Sequence, residues 1–235
     1  MRPFREVWQS TIFTKWVMAI TGLLIVGFLL GHLSGNMLMF LGQEHMNEYG
    51  VELRSLLHGA GIWVVRLGLV AIFCLHILSA LKLSGRNRKA RPTRYAKVTP
   101  QESTLAGRTM LLSGLLLLAY ILYHLAHFTW GIVHADFYAH NVGYEYTLAN
   151  GHVVPDVYKM VVNSFQQPLI AVLYLVAMVF TGLHMNHAIG SALQTLGLTN
   201  HRLVPVLRKA GVGLSIIIAA GFSAVPISIL IGIVK

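Results

Sequence analysis

Charge is scarce in this sequence. Lys, Arg, Asp and Glu together supply 11% of the 235 residues and hydrophobic residues 55%, whereas a soluble domain carries about 25% charged residues. A soluble globular class is thereby excluded. Cysteine is scarcer still, since Cys74 stands alone inside an apolar run. One thiol closes no internal disulfide, holds no iron–sulfur cluster by itself and makes no C-x-x-C-H haem attachment. Any metal cofactor therefore falls to histidine. Long linkers, low-complexity tracts and a convincing internal repeat are also missing. A cleavable leader is not expected either: the apolar stretch at 16–41 outruns the roughly 7–15 residues of a signal core, and no A-x-A site follows it.

What is present is apolar length. Five runs, at approximately 16–41, 62–83, 109–134, 168–190 and 211–234, can each cross a hydrocarbon core of roughly 30 Å. The expectation is an all-α integral membrane helical bundle, one membrane domain over 1–235 with five transmembrane helices. The net charge of +10 sits in short loops rather than on a basic helix face, so nucleic acid is not an expected partner. Arg2, Arg5, Lys15, Lys82, Arg86, Arg88, Lys89, Arg91, Arg94, Lys97, Arg108, Arg202, Arg208 and Lys209 share one side with only Glu6 and Glu102. The other side has Arg54, Lys159 and Lys235 against Glu44, Glu48, Glu52, Asp136, Glu145 and Asp156. Positive-inside topology then puts the N-terminus in the cytoplasm and the C-terminus outside, in the cytoplasmic (inner) cell membrane. The outer segment 135–167, with Tyr138, Tyr144, Tyr146, Tyr158 and Phe165, is predicted to form an interfacial cap.

Histidine carries the chemistry. Of twelve, six lie within or at the edges of the spans: His32, His76, His124, His127, His184 and His187. Ionisable groups at membrane depth are costly and need partners. At a helical rise of about 1.5 Å per residue, His32 and His124 each lie roughly 24 Å from the inner start of their spans. His76 lies about 21 Å, and His184 about 24 Å, from the outer start of theirs, because those helices run the other way. Four antiparallel helices thus offer two histidine pairs at two levels, about 15 Å apart. Two opposed imidazoles fill both axial positions of a haem, which suits electron transfer. His127 and His187 each follow a proposed ligand by three residues. They could replace it, contact a propionate or serve a quinone, and spacing alone does not choose.

Arg66, near the outer end of the second span, could pair with a haem propionate or reach to the interface. Gly22, Gly27, Gly31 and Gly35 recur along the first span, where small residues admit a neighbouring helix or a flat macrocycle.

The motifs resemble a known family. M-A-I-T-G-L-L and G-H-L-S-G-N within 18–36, N-x-Y-G near Tyr49, and L-H-I-L-S-A-L at 75–81 are similar to the five-helix, dihaem cytochrome b anchor of succinate dehydrogenase and fumarate reductase. Y-H-L-A-H-F at 123–128 and G-L-H-M-N-H-A-I-G-S-A-L-Q-T-L-G at 182–197 extend the resemblance over most of the chain. It implies haem ligands His32 and His124 for the distal haem b, and His76 and His184 for the proximal one. It also implies flavoprotein and iron–sulfur partner subunits in the succinate:quinone oxidoreductase (complex II), and exchange with a membrane quinone, menaquinone or ubiquinone. By itself the chain has no nucleophile, flavin fingerprint or dicarboxylate clamp, so succinate chemistry would belong to the partners.

Quinone candidates near the proximal haem are Ser10, Thr11, Thr14 and Lys15, with His187. The sequence departs from the family at Gly182, where some members carry a glutamate for a transmembrane proton path. No carboxylate occurs in any span. Alternative readings are a fumarate reductase anchor run in reverse, another dihaem quinol-oxidising anchor, and a haem-free anchor or transporter.

Overall fold

Ser10 marks where the first long helix starts. Its backbone is extended and its hydroxyl accepts from Phe13 N at 3.5 Å, so a short α1 (Phe4–Gln9) gives way to α2 (Thr11–Met37). In the computed structural model, which describes residues 4–90 and 105–235, α2 closes in a 3-10 turn and Gly42 (φ +102°) redirects the chain. An unforeseen α3 (Gln43–Ser55) follows at that end of the bundle. Leu57 (φ +49°) and His58 (φ +56°) then take the left-handed conformation that side chains disfavour, Gly59 (φ +88°) takes it freely, and α4 (Ala60–Ala90) begins.

After α5 (Leu105–Arg108), α6 (Met110–His124) widens into a π-turn over Leu125–Thr129, with Trp130 N bonded to Leu125 O at 2.8 Å. The outer segment builds a hairpin of β1 (Glu145–Thr147) and β2 (Val153–Pro155), antiparallel with Tyr146 opposite Val154, and then α7 (Val157–Phe165). Two long helices, α8 (Pro168–Thr195) and α9 (Val204–Leu230), complete the chain. Proline at the first turn of each costs no hydrogen bond there.

The chain is an all-α multi-pass membrane protein: five of its helices are long and apolar enough to cross a membrane. With five crossings the termini lie at opposite ends, and the end bearing the N-terminus is called inner below. Several boundaries differ from the apolar runs. The first, second, fourth and fifth helices extend beyond them, because polar and basic ends such as 84–90 stay helical past the hydrocarbon edge. The third stops at Thr129 rather than at 134, since Gly131 (φ +62°) and His134 (φ +54°) turn the backbone although it is still apolar. Arg2, Arg91, Arg94, Lys97 and Glu102 of the topology argument lie outside the described residues.

Lipid tails give helices no hydrophobic reason to associate, so close approach and polar contacts hold the bundle. α8 sits against α9, α2 and α6, while α4 lies along α2. Small residues make the contacts tight: a Cβ at Gly182 would come within 3.2 Å of Ala219 Cβ, and one at Gly221 within 2.8 Å of Leu33. At the outer end a buried carboxylate ties the cap together. Asp156, 2% exposed, accepts from Gln43 Nε2 (2.6 Å), Asn47 Nδ2 (2.9 Å) and Lys159 N (3.0 Å), joining α3 to the start of α7.

Candidate functional site

The outer histidines meet. His32 on α2 and His124 on α6 have ring centroids 5.9 Å apart and planes at 80°. Phe28, one turn before His32, stacks on it at 5.5 Å, and Phe222 of α9 tilts against its other side at 5.5 Å. Tyr120, Tyr174 and Phe128 surround His124. Among the described residues, His124 Nδ1 is the one buried side-chain polar atom with no hydrogen-bond partner. A buried, unpaired imidazole nitrogen is costly unless something binds the ring.

The inner histidines are held differently. His76 on α4 places Nδ1 3.2 Å from Met18 O and 3.3 Å from Thr21 Oγ1, both on α2. His184 on α8 places Nδ1 3.0 Å from Ser113 Oγ on α6. Each ring edge also faces a glycine, since a Cβ at Gly22 would sit 3.2 Å from His76 Cε1 and one at Gly114 3.4 Å from His184 Cε1.

Of the neighbours three residues on, His127 is otherwise employed. His127 is 2% exposed and uses both ring nitrogens, Nδ1 with Tyr174 Oη (2.9 Å) and Nε2 with Ser164 Oγ (3.0 Å). Ser164 gives its own proton to Met160 O (2.7 Å), so its oxygen accepts from Nε2–H and Tyr174 donates to Nδ1. Neither nitrogen of His127 is left to bind a metal. It fastens α6 to α7 and α8 instead. His187 lies at the inner end against α5, where a Cβ at Gly107 would fall 2.9 Å from its Cε1.

Arg66 is exposed in the first turns of α4, its guanidinium carbon 5.0 Å from the centre of the Trp63 ring. Gly35 receives the Tyr49 ring, at 2.8 Å from a would-be Cβ, whereas a Cβ at Gly27 or Gly31 would meet nothing within 4 Å. The four inner polar candidates do not form one site. Ser10 caps α2, Thr14 gives its proton to Ser10 O (2.9 Å), and Thr11 Oγ1 accepts from Arg86 (3.1 Å), whose guanidinium also reaches Gln9 O. Lys15 instead lines a cleft of roughly 450 Å³ with Ile12, Trp16, Ser191, Gln194 and Thr195.

Sequence reasoning missed Thr21, Ser113, Tyr174, Ser164 and Arg86. A signal existed for the first four, because a hydroxyl inside or beside an apolar helix needs a partner.

The donor set fits a haem better than a bare ion. Among the described residues no group of three or more His, Cys, Asp or Glu side chains could enclose a metal, whereas a porphyrin brings its own equatorial nitrogens and asks the protein only for axial ligands. No family model matches the chain, and no curated protein or solved structure matches it either.

Proposed function

We propose that this chain is the dihaem cytochrome b membrane anchor of a succinate dehydrogenase, passing electrons between an iron–sulfur partner subunit and membrane quinone. The observation that carries the reading is the arrangement of four histidines on four helices at two depths, with the centres of the outer rings 5.9 Å apart. His32 and His124 would hold one haem b, His76 and His184 the other. A haem bound at each level supplies one-electron transfer through its iron.

The protein's part is to orient the rings and keep water out. Phe28 and Phe222 wall His32, and Tyr120 and Tyr174 wall His124. His127 locks the helix ends about the outer level through Ser164 and Tyr174. On this reading the fourteen cations of the inner side meet the soluble subunits in the cytoplasm, and the cleft of Lys15, Ser191, Gln194 and Thr195 receives a quinone carbonyl. Gly182 brings no carboxylate for a proton path, and a side chain there would press on Ala219, 3.2 Å from its Cβ.

The test is a reduced-minus-oxidised spectrum of the chain purified with its partners, with haem counted as pyridine haemochrome. Two b haems per chain are expected. A preparation without haem would overturn the reading and leave the histidines with packing or proton roles.

A further inference from the structure

α2 and α6 carry the same device. In each, a hydroxyl residue and a glycine are followed, ten residues after the glycine, by an outer histidine: Thr21-Gly22 then His32, and Ser113-Gly114 then His124. Eleven residues from hydroxyl to histidine are close to three helical turns, so both features lie on one face about 16 Å apart. Each helix therefore presents an outer histidine and, one level down, a hydroxyl–glycine seat for the inner histidine of a neighbour. α2 seats His76 of α4, and α6 seats His184 of α8.

The hydrogen-bond directions fix what the seats do. Thr21 gives its proton to Val17 O (2.7 Å), and Met18 O can only accept, so His76 Nδ1 carries the proton it shares with them. Ser113 can give its proton to Met110 O (3.1 Å), which leaves its oxygen to accept from His184 Nδ1–H at 3.0 Å. Both inner imidazoles thus keep the Nε2 lone pair free, and the glycines let the ring edges come close.

We propose that Thr21 and Ser113 are positioning residues that hold His76 and His184 in the Nδ1–H tautomer with Nε2 presented for axial ligation. The ligation half rests on the dihaem reading; the tautomer half does not. A hydrogen bond from Nδ1–H makes the ligating nitrogen more basic and favours ferric iron. Losing it raises the potential of the inner haem alone. His184 has Ser113 as its Nδ1 partner, whereas His76 keeps Met18 O without Thr21, so Ser113→Ala acts more strongly than Thr21→Val.

The experiment has two arms on the full chain in nanodiscs. Imidazole nitrogen NMR on the haem-free protein reads the tautomers, and Nδ1–H at both histidines is expected. Potentiometric titration of the loaded complex reads the potentials: Ser113→Ala shifts one haem upward and loosens its retention by about 10–100-fold, the other haem stays put, and Ser113→Thr restores the wild-type value. Nε2–H tautomers at His76 or His184 would overturn the proposal, as would two haems with unchanged potentials in Ser113→Ala. If the wild-type chain holds no haem, the dihaem reading fails, and the NMR arm alone decides the tautomers.

Discussion

Asp156→Ala tests whether the outer cap is held by one carboxylate. The substitution strips acceptors from Asn47 Nδ2, which is buried at 1% exposure, from the first turn of α7 at Lys159 N, and from Gln43 Nε2. A buried donor left without a partner costs about 1–3 kcal/mol, and a lost N-cap about 1 kcal/mol. Gln43 is half-buried and regains water cheaply. The cap should therefore open more easily by roughly 2–4 kcal/mol, a factor of about 100 at 1.4 kcal/mol per tenfold. Asp156→Asn keeps one oxygen for Asn47 and Lys159, and Gln43 can turn its amide to accept, so its effect should be about tenfold or less. Hydrogen exchange of the α7 amides, followed by mass spectrometry on protein in nanodiscs, reads the opening equilibrium directly. Exchange in Asp156→Ala within threefold of wild type, or alanine and asparagine variants that exchange alike, would refute this account.

On the dihaem reading, alanine at His32 or His124 should remove one haem, and alanine at His76 or His184 the other; loss of the same haem from His32 and His76 variants would break the pairing. His127→Ala should retain both haems in the visible spectrum while lowering the melting temperature, because it strands Tyr174 and Ser164; loss of the outer haem with unchanged stability would make His127 a ligand. The Ala149 N–H and the Tyr146 hydroxyl hold the Glu44 carboxyl below its usual range. Its tether on the hairpin is fully present above the ordinary carboxylate range and is lost as pH falls through the lowered value, so hairpin protection factors, corrected for the intrinsic pH dependence of amide exchange, should fall on acidification in wild type and stay flat in Glu44→Gln. Gly182→Glu should push α9 away from α8 and lower stability by about 1–3 kcal/mol without giving reconstituted turnover a compensating proton uptake; a stable, fully compensated variant would contradict it.

The five spans were legible because each is an apolar run of membrane length, and the levels of the histidines because helical rise converts residue count into depth. The outer architecture was not. α3 is rich in charge and lies between two apolar runs, yet Asn47 and Gln43 on it find Asp156 more than a hundred residues on, a pairing that local pattern does not contain. The end of the third span was overrun for the opposite reason, since its hydropathy continues past the point where Gly131 and His134 turn the backbone. Depth alone could not separate His124 from His127. That distinction needed Ser164 and Tyr174, which arrive from α7 and α8.

The π-turn at Leu125–Thr129 accommodates one residue more than an α-helix would over the same length. His124 and His127 share Phe128 and Tyr174 as neighbours. Within the widened turn His124 still reaches His32 on α2 while His127 bonds to Ser164 on α7 and Tyr174 on α8. Deleting a single residue from this stretch would rotate everything beyond it by about 100° about the helix axis, taking His134 and its 3.0 Å bond with Tyr123 with it. On the dihaem reading, one inserted residue sits between a proposed ligand and a fastener, and a chain of this design can gain or lose that division of labour in a single insertion or deletion.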